Sequence, residues 1–386
     1  MRAAADRPPE ARGLARDGVR LLVATPDGLA HATFRDLGHF LAPGDLLVVN
    51  TSATISAAVD GTLRGRPDRT SPNSGPGPGD PVTVHFSTPL DDGTWLVELR
   101  EAAAGRGRII GAESGDTVAL PASGSLTLIG RYPDQRADRM WTALVTIPPA
   151  RSRGTAATTA TAATRPGDAR PGTARPDPAR PGAEVLAFLA RHGKPIRYSY
   201  VPDPWPLTAY QTVFARDPGS AEMPSAGRPF SPDLVSSLVT AGVVFAPITL
   251  HAGVASLEAG ELPLPERFAV PDPTARLVNL TREAGNRVVA VGTTVTRALE
   301  TGAGADGTVR GTRGWTDLVL GTARPARAAR VVTGLITGWH DPDASHLALL
   351  EAVAGPTLVR AAYVEADKEG YLGHEFGDSC LLLPPI

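Results

Sequence analysis

"NRVVAVGTTVTRALE", residues 286–300, decides the fold. Val288 to Val291 run apolar without a break, as in a strand buried on both faces. Gly292 interrupts the run, two threonines follow, and apolar positions then recur at helical spacing around Arg297. A buried strand passing directly into a helix is the repeating unit of α/β folds. The surroundings repeat it. "SPDLVSSLVTAG" reads as a helix capped by Ser231, "VVFAPITLH" as a strand and "PTARLVNLTREAG" as a helix. Beyond the opening stretch, "RVVTGLITG" reads as a strand and "DASHLALLEAVAG" as a helix. Upstream, "GVRLLVAT" and "LLVVNTS" read as strands around a short helix and turn, "DLGHFLAPGD". The expected fold is an α/β domain with a mostly parallel sheet.

The texture changes from about residue 58. "PVTVHFS", "TWLVELR", "DTVALP", "SLTLIGRY" and "MWTALVTI" are short alternating runs divided by Gly, Asp and Pro. Such spacing suggests a small antiparallel β-barrel or sandwich. Residues 151–183 are low in complexity, with six arginines and two aspartates. A stretch of that composition cannot bury a core and reads as a disordered linker. Its arginines leave a lesser reading open, an electrostatic grip on RNA. "AEVLAFLARHG" then reads as an amphipathic helix ending at Gly193.

Composition sets the outer limits. The 386 residues carry a net charge of -2, so nothing global attracts nucleic acid or an anionic membrane. One cysteine, Cys380, permits no internal disulfide, which fits a cytoplasmic protein. No run of 18 apolar residues offers a transmembrane helix, so no membrane partner is expected. There is no GxxxxGK[ST] loop, no GxGxxG fingerprint, no GxSxG elbow and no Cys/His cluster for a metal.

In open α/β sheets, ligands bind beyond the C-terminal strand ends. Three strand-to-helix loops stand out: His251-Ala252-Gly253; Gly292-Thr293-Thr294; and Trp339-His340-Asp341-Pro342 with Ser345. Each has a plainer reading. Thr293 and Thr294 read equally as helix caps, and Asp343 or Ser345 as the cap of the next helix. His251 reads equally as a satisfied core histidine. Arg297, in so apolar a segment, calls for an anionic partner, either protein or ligand.

Taken in order, the motifs resemble the S-adenosylmethionine:tRNA ribosyltransferase-isomerase (QueA) family. "LAPGDLLVVNTSATI", "YQTVFARDPGSAEMPSAGRPF", "ITLHAGVAS", "LITGWHDPDASHLALLEAVAG" and "AYVEADKEGYLGHEFGDSCLL" each look like a family segment. "GNRVVAVGTTVTRALE" is similar to the family's "GRVIAVGTTSVRTLE" and is the strongest of them. The resemblance covers nearly the whole chain.

It implies a discontinuous α/β domain from residues 1–55 and 199–386, with a β-barrel-like domain inserted over 56–198. It implies transfer and isomerisation of the ribosyl part of S-adenosylmethionine onto the aminomethyl-deazaguanine base of tRNA, with release of adenine and methionine. A base must take a proton next to the sulfonium and an acid must assist departure. The sulfonium activates that C–H bond itself, so no cofactor beyond the substrate S-adenosylmethionine is needed. Carried over residue by residue, His251, His340 and Asp378 are the candidate catalytic residues and should converge on one pocket. Ser225, Gly227, Gly253, Thr293, Thr294 and Arg297 are the candidate S-adenosylmethionine contacts. A monomer is expected.

The chain departs from the family at definite points. An arginine is missing near Ala57 and Ala58. A histidine is lost from Ala226-Gly227-Arg228-Pro229-Phe230. "LPLPERFAV" replaces a histidine-rich motif, with Glu266 near the family's glutamate, and His374-Glu375-Phe376 precede Gly377-Asp378. The retained loops belong to the S-adenosylmethionine side, so the acceptor stays open between tRNA and a small molecule, with a catalytically inactive RNA-binding protein as the third reading.

Overall fold

The structure is a computed structural model, describing residues 3–64, 79–102, 112–133, 139–149, 182–254, 263–321, 328–340 and 346–385. The expected disorder of 151–183 therefore falls, up to residue 181, outside the described residues, as do Asp341, Pro342, Asp343 and Ser345. The chain divides into two compact units, Met1–Thr54 with Arg197–Ile386, and Ile55–Ile196.

The larger unit is built on nine strands: β1 (Arg20–Thr25), β2 (Gly28–Thr33), β3 (Leu46–Asn50), β12 (Val244–Leu250), β13 (Glu266–Val270), β14 (Val288–Val291), β15 (Thr312–Thr316), β16 (Gly334–Gly338) and β17 (Ser379–Leu382). Their order is β15-β13-β12-β3-β14-β16-β17-β1-β2. The four central strands, β12-β3-β14-β16, are parallel, as the strand–helix alternation predicts. The flanks are not: β13, β15 and β17 join antiparallel to their inner neighbours, and β2 forms a hairpin with β1. The sheet is therefore mixed around a parallel centre.

The central strands are apolar at successive positions because both faces are covered. Leu46 and Val48 of β3, with Val288 and Ala290 of β14, face one core. That core also takes side chains from α3 (Asp272–Glu283), α4 (Thr293–Thr301), α5 (His346–Ala354) and α6 (Pro356–Lys368). Leu47, Val49, Val289 and Val291 face the other, against Phe34, Leu37 and the Leu234 and Leu238 of α2 (Pro232–Thr240). Ser231 caps α2 as read from the sequence, its Oγ accepting the Leu234 N–H at 3.1 Å. A separate pair, β4 (Ser52–Thr54) and β11 (Asp217–Ser220), runs parallel beside this sheet's loops.

In the smaller unit, β5 (Ala58–Arg64), β6 (Pro81–Pro89), β7 (Trp95–Glu101), β8 (Thr117–Ala119), β9 (Ser125–Tyr132) and β10 (Met140–Thr146) close a barrel in the order β10-β7-β6-β5-β8-β9. Every pairing is antiparallel. Helix α1 (Ala183–His192) belongs to it and ends at Gly193. Glu98, almost wholly buried, is held by His85, Arg100 and Arg139. Burial raises its carboxyl pKa, but the His85 hydrogen bond and the neighbouring side chains, Arg100 and Arg139 among them, outweigh it and leave it below the ordinary value.

Candidate active site

Because β12, β3, β14 and β16 are parallel, their C-terminal ends share one edge. β17 runs the other way, with Ser379 opposite Gly338, so its first residue lies at that same edge. His251 follows β12, Thr293 follows β14, His340 follows β16, and Asp378 precedes β17. The sheet thus gathers these four, distant in sequence, along one rim.

His251 is 6% exposed and tightly held. Its Nδ1 lies 2.7 Å from Ser52 Oγ, which lies 2.6 Å from Ser220 Oγ. Ser220 Oγ accepts the Ala252 N–H at 3.0 Å. The β4–β11 pair therefore acts as a cradle for the histidine. Gly219 completes it: a Cβ there would stand 2.7 Å from the His251 Nδ1. Asn50, at the end of β3, ties the rim together. Its Oδ1 accepts the Ser52 and Leu250 N–H groups, and its Nδ2 donates to Leu250 O at 2.8 Å and reaches Thr294 Oγ1 at 3.4 Å.

The threonines of the opening stretch do not cap α4. Gly292 is the cap residue, at φ 100°, a conformation that favours glycine, and no side chain caps the helix. Thr293 and Thr294 are the first two helical residues, half-buried at the rim. The anionic partner of Arg297 is a protein carboxylate: Nη1 contacts Glu266 Oε2 directly. Its other groups donate to the carbonyls of Leu318, Thr316 and Leu264. Glu266 Oε1 in turn accepts the Gly253 N–H at 3.2 Å. Arg297 thus reaches the loop after His251 through Glu266. Burial raises the Glu266 carboxyl pKa, opposed by Arg297 and by that N–H.

Asp378 is also fully engaged, its two oxygens accepting the N–H groups of Arg20 and Leu372 at 3.0 and 2.9 Å. It lines a cleft with Ser225, Gly338, His374 and Glu375, among others. Neither His251 nor His340 lines that cleft. Gly227 is buried in the 3-10 turn that begins at Ser225, packed against Thr212.

His340 stacks on His346, ring centroids 4.5 Å apart and planes 11° from parallel. Burial pushes the His340 pKa well below the ordinary value, and the neighbouring His346 and His374 rings add to the shift. Burial, then Arg297, lowers His346 as well. The unfolded chain takes up protons near pH 6.5, while the folded rings do so only at lower pH. Stability from keeping these rings neutral is complete above about pH 6.5 and is lost as pH falls towards the folded values. The melting temperature is accordingly expected to drop between about pH 7 and pH 5, and a His340→Phe/His346→Phe variant to drop less steeply. Equal slopes for parent and variant in differential scanning calorimetry would refute this coupling.

The rim therefore holds one histidine locked by two serines, a neutral histidine pair, and two charged side chains, Arg297 and Asp378, spent on local structure. Asn50, Ser52, Ser220 and His374 are absent from the sequence-based candidates. Such a rim can remove and return protons in a partly desolvated space. Among the described residues no group of three or more His, Cys, Asp or Glu is placed to hold a metal ion.

The family model described as "Queuosine biosynthesis protein" matches residues 2–382. The S-adenosylmethionine:tRNA ribosyltransferase-isomerase of Acidiphilium cryptum (strain JF-5) is 33% identical over 383 residues, spanning 95% of this chain and 93% of that relative. The protein of the same name from Moorella thermoacetica (strain ATCC 39073 / JCM 9320) is 32% identical over 378 residues, spanning 95% and 94%. The crystal structure of S-adenosylmethionine tRNA ribosyltransferase from Thermotoga maritima aligns over 98% of this chain and 96% of its own, at 25% identity and a TM-score of 0.47.

Proposed function

The chain belongs to the queuosine biosynthesis protein family, and from that premise we propose that it is a ribosyltransferase-isomerase acting on S-adenosylmethionine and tRNA. It transfers the ribosyl carbons to the aminomethyl group of a deazaguanine base, and adenine and methionine leave. The observation that carries the reading on this chain is the cradle of His251, whose ring is fixed at the sheet rim by Ser52 at 2.7 Å and backed by Gly219.

In this reading His251 removes the proton from the carbon beside the sulfonium. On protonation both ring nitrogens become donors, and Nδ1–H is met by Ser52 Oγ, whose own O–H can donate a hydrogen bond to Ser220 Oγ. The electron pair left on carbon begins the rearrangement in which the bond to adenine breaks. The acceptor amine then bonds to carbon and loses a proton, and the C–S bond breaks with its electron pair leaving on sulfur, so that methionine departs neutral. His340, kept neutral, can give a proton only as fast as it gains one, which suits it to relay a proton to the departing group rather than store charge. The N–H groups at the start of α4, next to Thr293 and Thr294, suit the methionine carboxylate. Arg297 and Asp378 are positioning residues: one sets the Gly253 loop through Glu266, the other the turn before β17. The enzyme acts as a monomer in the cytoplasm, and the sulfonium supplies the activation for which other enzymes use a cofactor.

The test is adenine release followed by mass spectrometry. Adenine and methionine are expected with S-adenosylmethionine only when tRNA bearing the aminomethyl-deazaguanine base is present. Silence with that tRNA, or release driven by the free base alone, overturns the assignment.

A further inference from the structure

The cleft beside Asp378 carries a charge that the mechanism has not used. Three residues lining it have formal charges at neutral pH: Arg228, Glu375 and Asp378. Arg228 is neutralised by Glu10 at 2.8 Å and donates also to Ala209 O. Asp378 is satisfied by two backbone N–H groups. Glu375 is different. Its partner among the described residues is a neutral donor, the Tyr200 hydroxyl, 2.7 Å from each carboxylate oxygen. That hydroxyl leaves lone pairs on both oxygens, and among the described residues no cation forms an ion pair with the carboxylate. The cleft therefore attracts a cation or a cluster of N–H donors and disfavours phosphate or carboxylate.

The neighbouring side chain provides a flat surface. The His374 ring stacks on Tyr200 at 4.1 Å between centroids and 22° between planes, and Tyr200 stacks in turn on Tyr198 at 5.7 Å. His374 holds φ 68°, unusual for a residue with a side chain, fixed by its N–H bond to Trp339 O at 3.0 Å. Ser225 and Ser379 also line the cleft, and among the described residues neither hydroxyl has a hydrogen-bond partner. Aromatic stack, open carboxylate and unpaired hydroxyls together describe a site for a planar, nitrogen-rich ring bearing an amine.

We propose that Glu375 and His374, supported by Tyr200, form the subsite for the acceptor: Glu375 accepts N–H donors of its aminomethyl group while His374 lies against its ring. The inference rests on the ribosyl-transfer reading and names its acceptor side. It also gives a role to a position where this chain departs from its family's pattern, His374-Glu375-Phe376. S-adenosylmethionine carries an ammonium too, so the test separates the two cations.

The variants are Glu375→Gln, Glu375→Ala and Tyr200→Phe, each checked for an unchanged melting curve. Steady-state adenine release gives KM for both substrates, and calorimetry gives the Kd of S-adenosylmethionine alone. Losing a charge-assisted contact should raise KM for the modified tRNA by about 10-fold or more, leaving KM and Kd for S-adenosylmethionine within about twofold. Tyr200→Phe, which frees the carboxylate to wander, should raise the tRNA KM by less. A second arm compares Kd for tRNA with and without the aminomethyl group, and Glu375→Gln should abolish the preference of the parent. If S-adenosylmethionine affinity falls instead, the cleft takes its ammonium and the proposal fails. If neither substrate responds, it fails as well. If the parent releases no adenine, the ribosyl-transfer reading falls, while the binding arm still decides whether Glu375 recognises the amine.

Discussion

Replacing His251 by alanine should lower adenine release by on the order of 10³-fold, with the fold intact. The scale is that of losing a general base, and the reason to expect the upper part of the range is rigidity. The ring is pinned by Ser52 on Nδ1 and by the absence of a side chain at Gly219. Catalytic groups lose much of their value when displaced by as little as an ångström. Gly219→Ala therefore provides the sharper experiment, since its new Cβ would sit 2.7–2.9 Å from three ring atoms and must push the ring. It should cost about 10-fold or more in turnover while S-adenosylmethionine still binds. Ser52→Ala should shift the acidic limb of the pH–rate profile, because the imidazolium loses its acceptor on Nδ1. If His251→Ala keeps parental turnover, the base lies elsewhere on the rim.

The largest effect on stability is expected at Glu300, the last residue of the opening stretch. Its side chain is fully buried in α4. The carboxylate accepts N–H groups from Arg330, Val331 and Val332 at 2.8 to 3.1 Å. This is how the chain enters β16. Glu300→Ala leaves two buried donors, the Val331 and Val332 N–H groups, without acceptor, each costing about 1–3 kcal/mol, together with the part-buried Arg330 N–H and a cavity. A loss of at least about 3 kcal/mol follows, or roughly 10 °C in melting temperature for a unit of this size. Glu300→Gln should lie between parent and alanine, since one amide oxygen can still accept while its NH2 faces other donors. Calorimetric melting of the two variants reads both quantities, and a fall of less than about 2 °C for Glu300→Ala would refute the role.

Much of this architecture is legible in the sequence wherever periodicity persists over a full element. Val288–Val291 followed by α4, the Ser231 cap, the end of α1 at Gly193 and five of the six barrel strands are all readable from pattern alone. What escapes is short or irregular. β17 has four residues, β15 is "TRGWT" with no alternation, and β11 is "DPGS", which reads as a turn. α6 follows α5 after a single glycine, and Pro356 at its start was the available signal. The same limit governs the site. Ser52 and Ser220 sit on short segments of three and four residues with no strand-like pattern, so their convergence on His251 exists only in three dimensions. Arg297 asked for an anion in sequence, and Glu266 stood nearby as a family position, but nothing in one dimension joins them. Thr293 and Thr294 looked like caps because threonine caps well in general; Gly292 takes the position because the turn there requires φ 100°.

The placement of β1 has a consequence for how the protein is made. β1 lies between β2 and β17, and the Arg20 N–H that begins it bonds to Asp378, 358 residues away along the chain. A ribosome delivers β1 early and β17 late. The barrel pairs strands that emerge close together and can close while translation continues. The large sheet cannot: until residues 379–382 appear, β1 and β16 both present an open edge to whatever else is in the cell. Nascent chains stalled before that point thus hold a finished barrel and an unfinished, adhesive sheet, which makes this half of the protein the natural client of chaperones during synthesis.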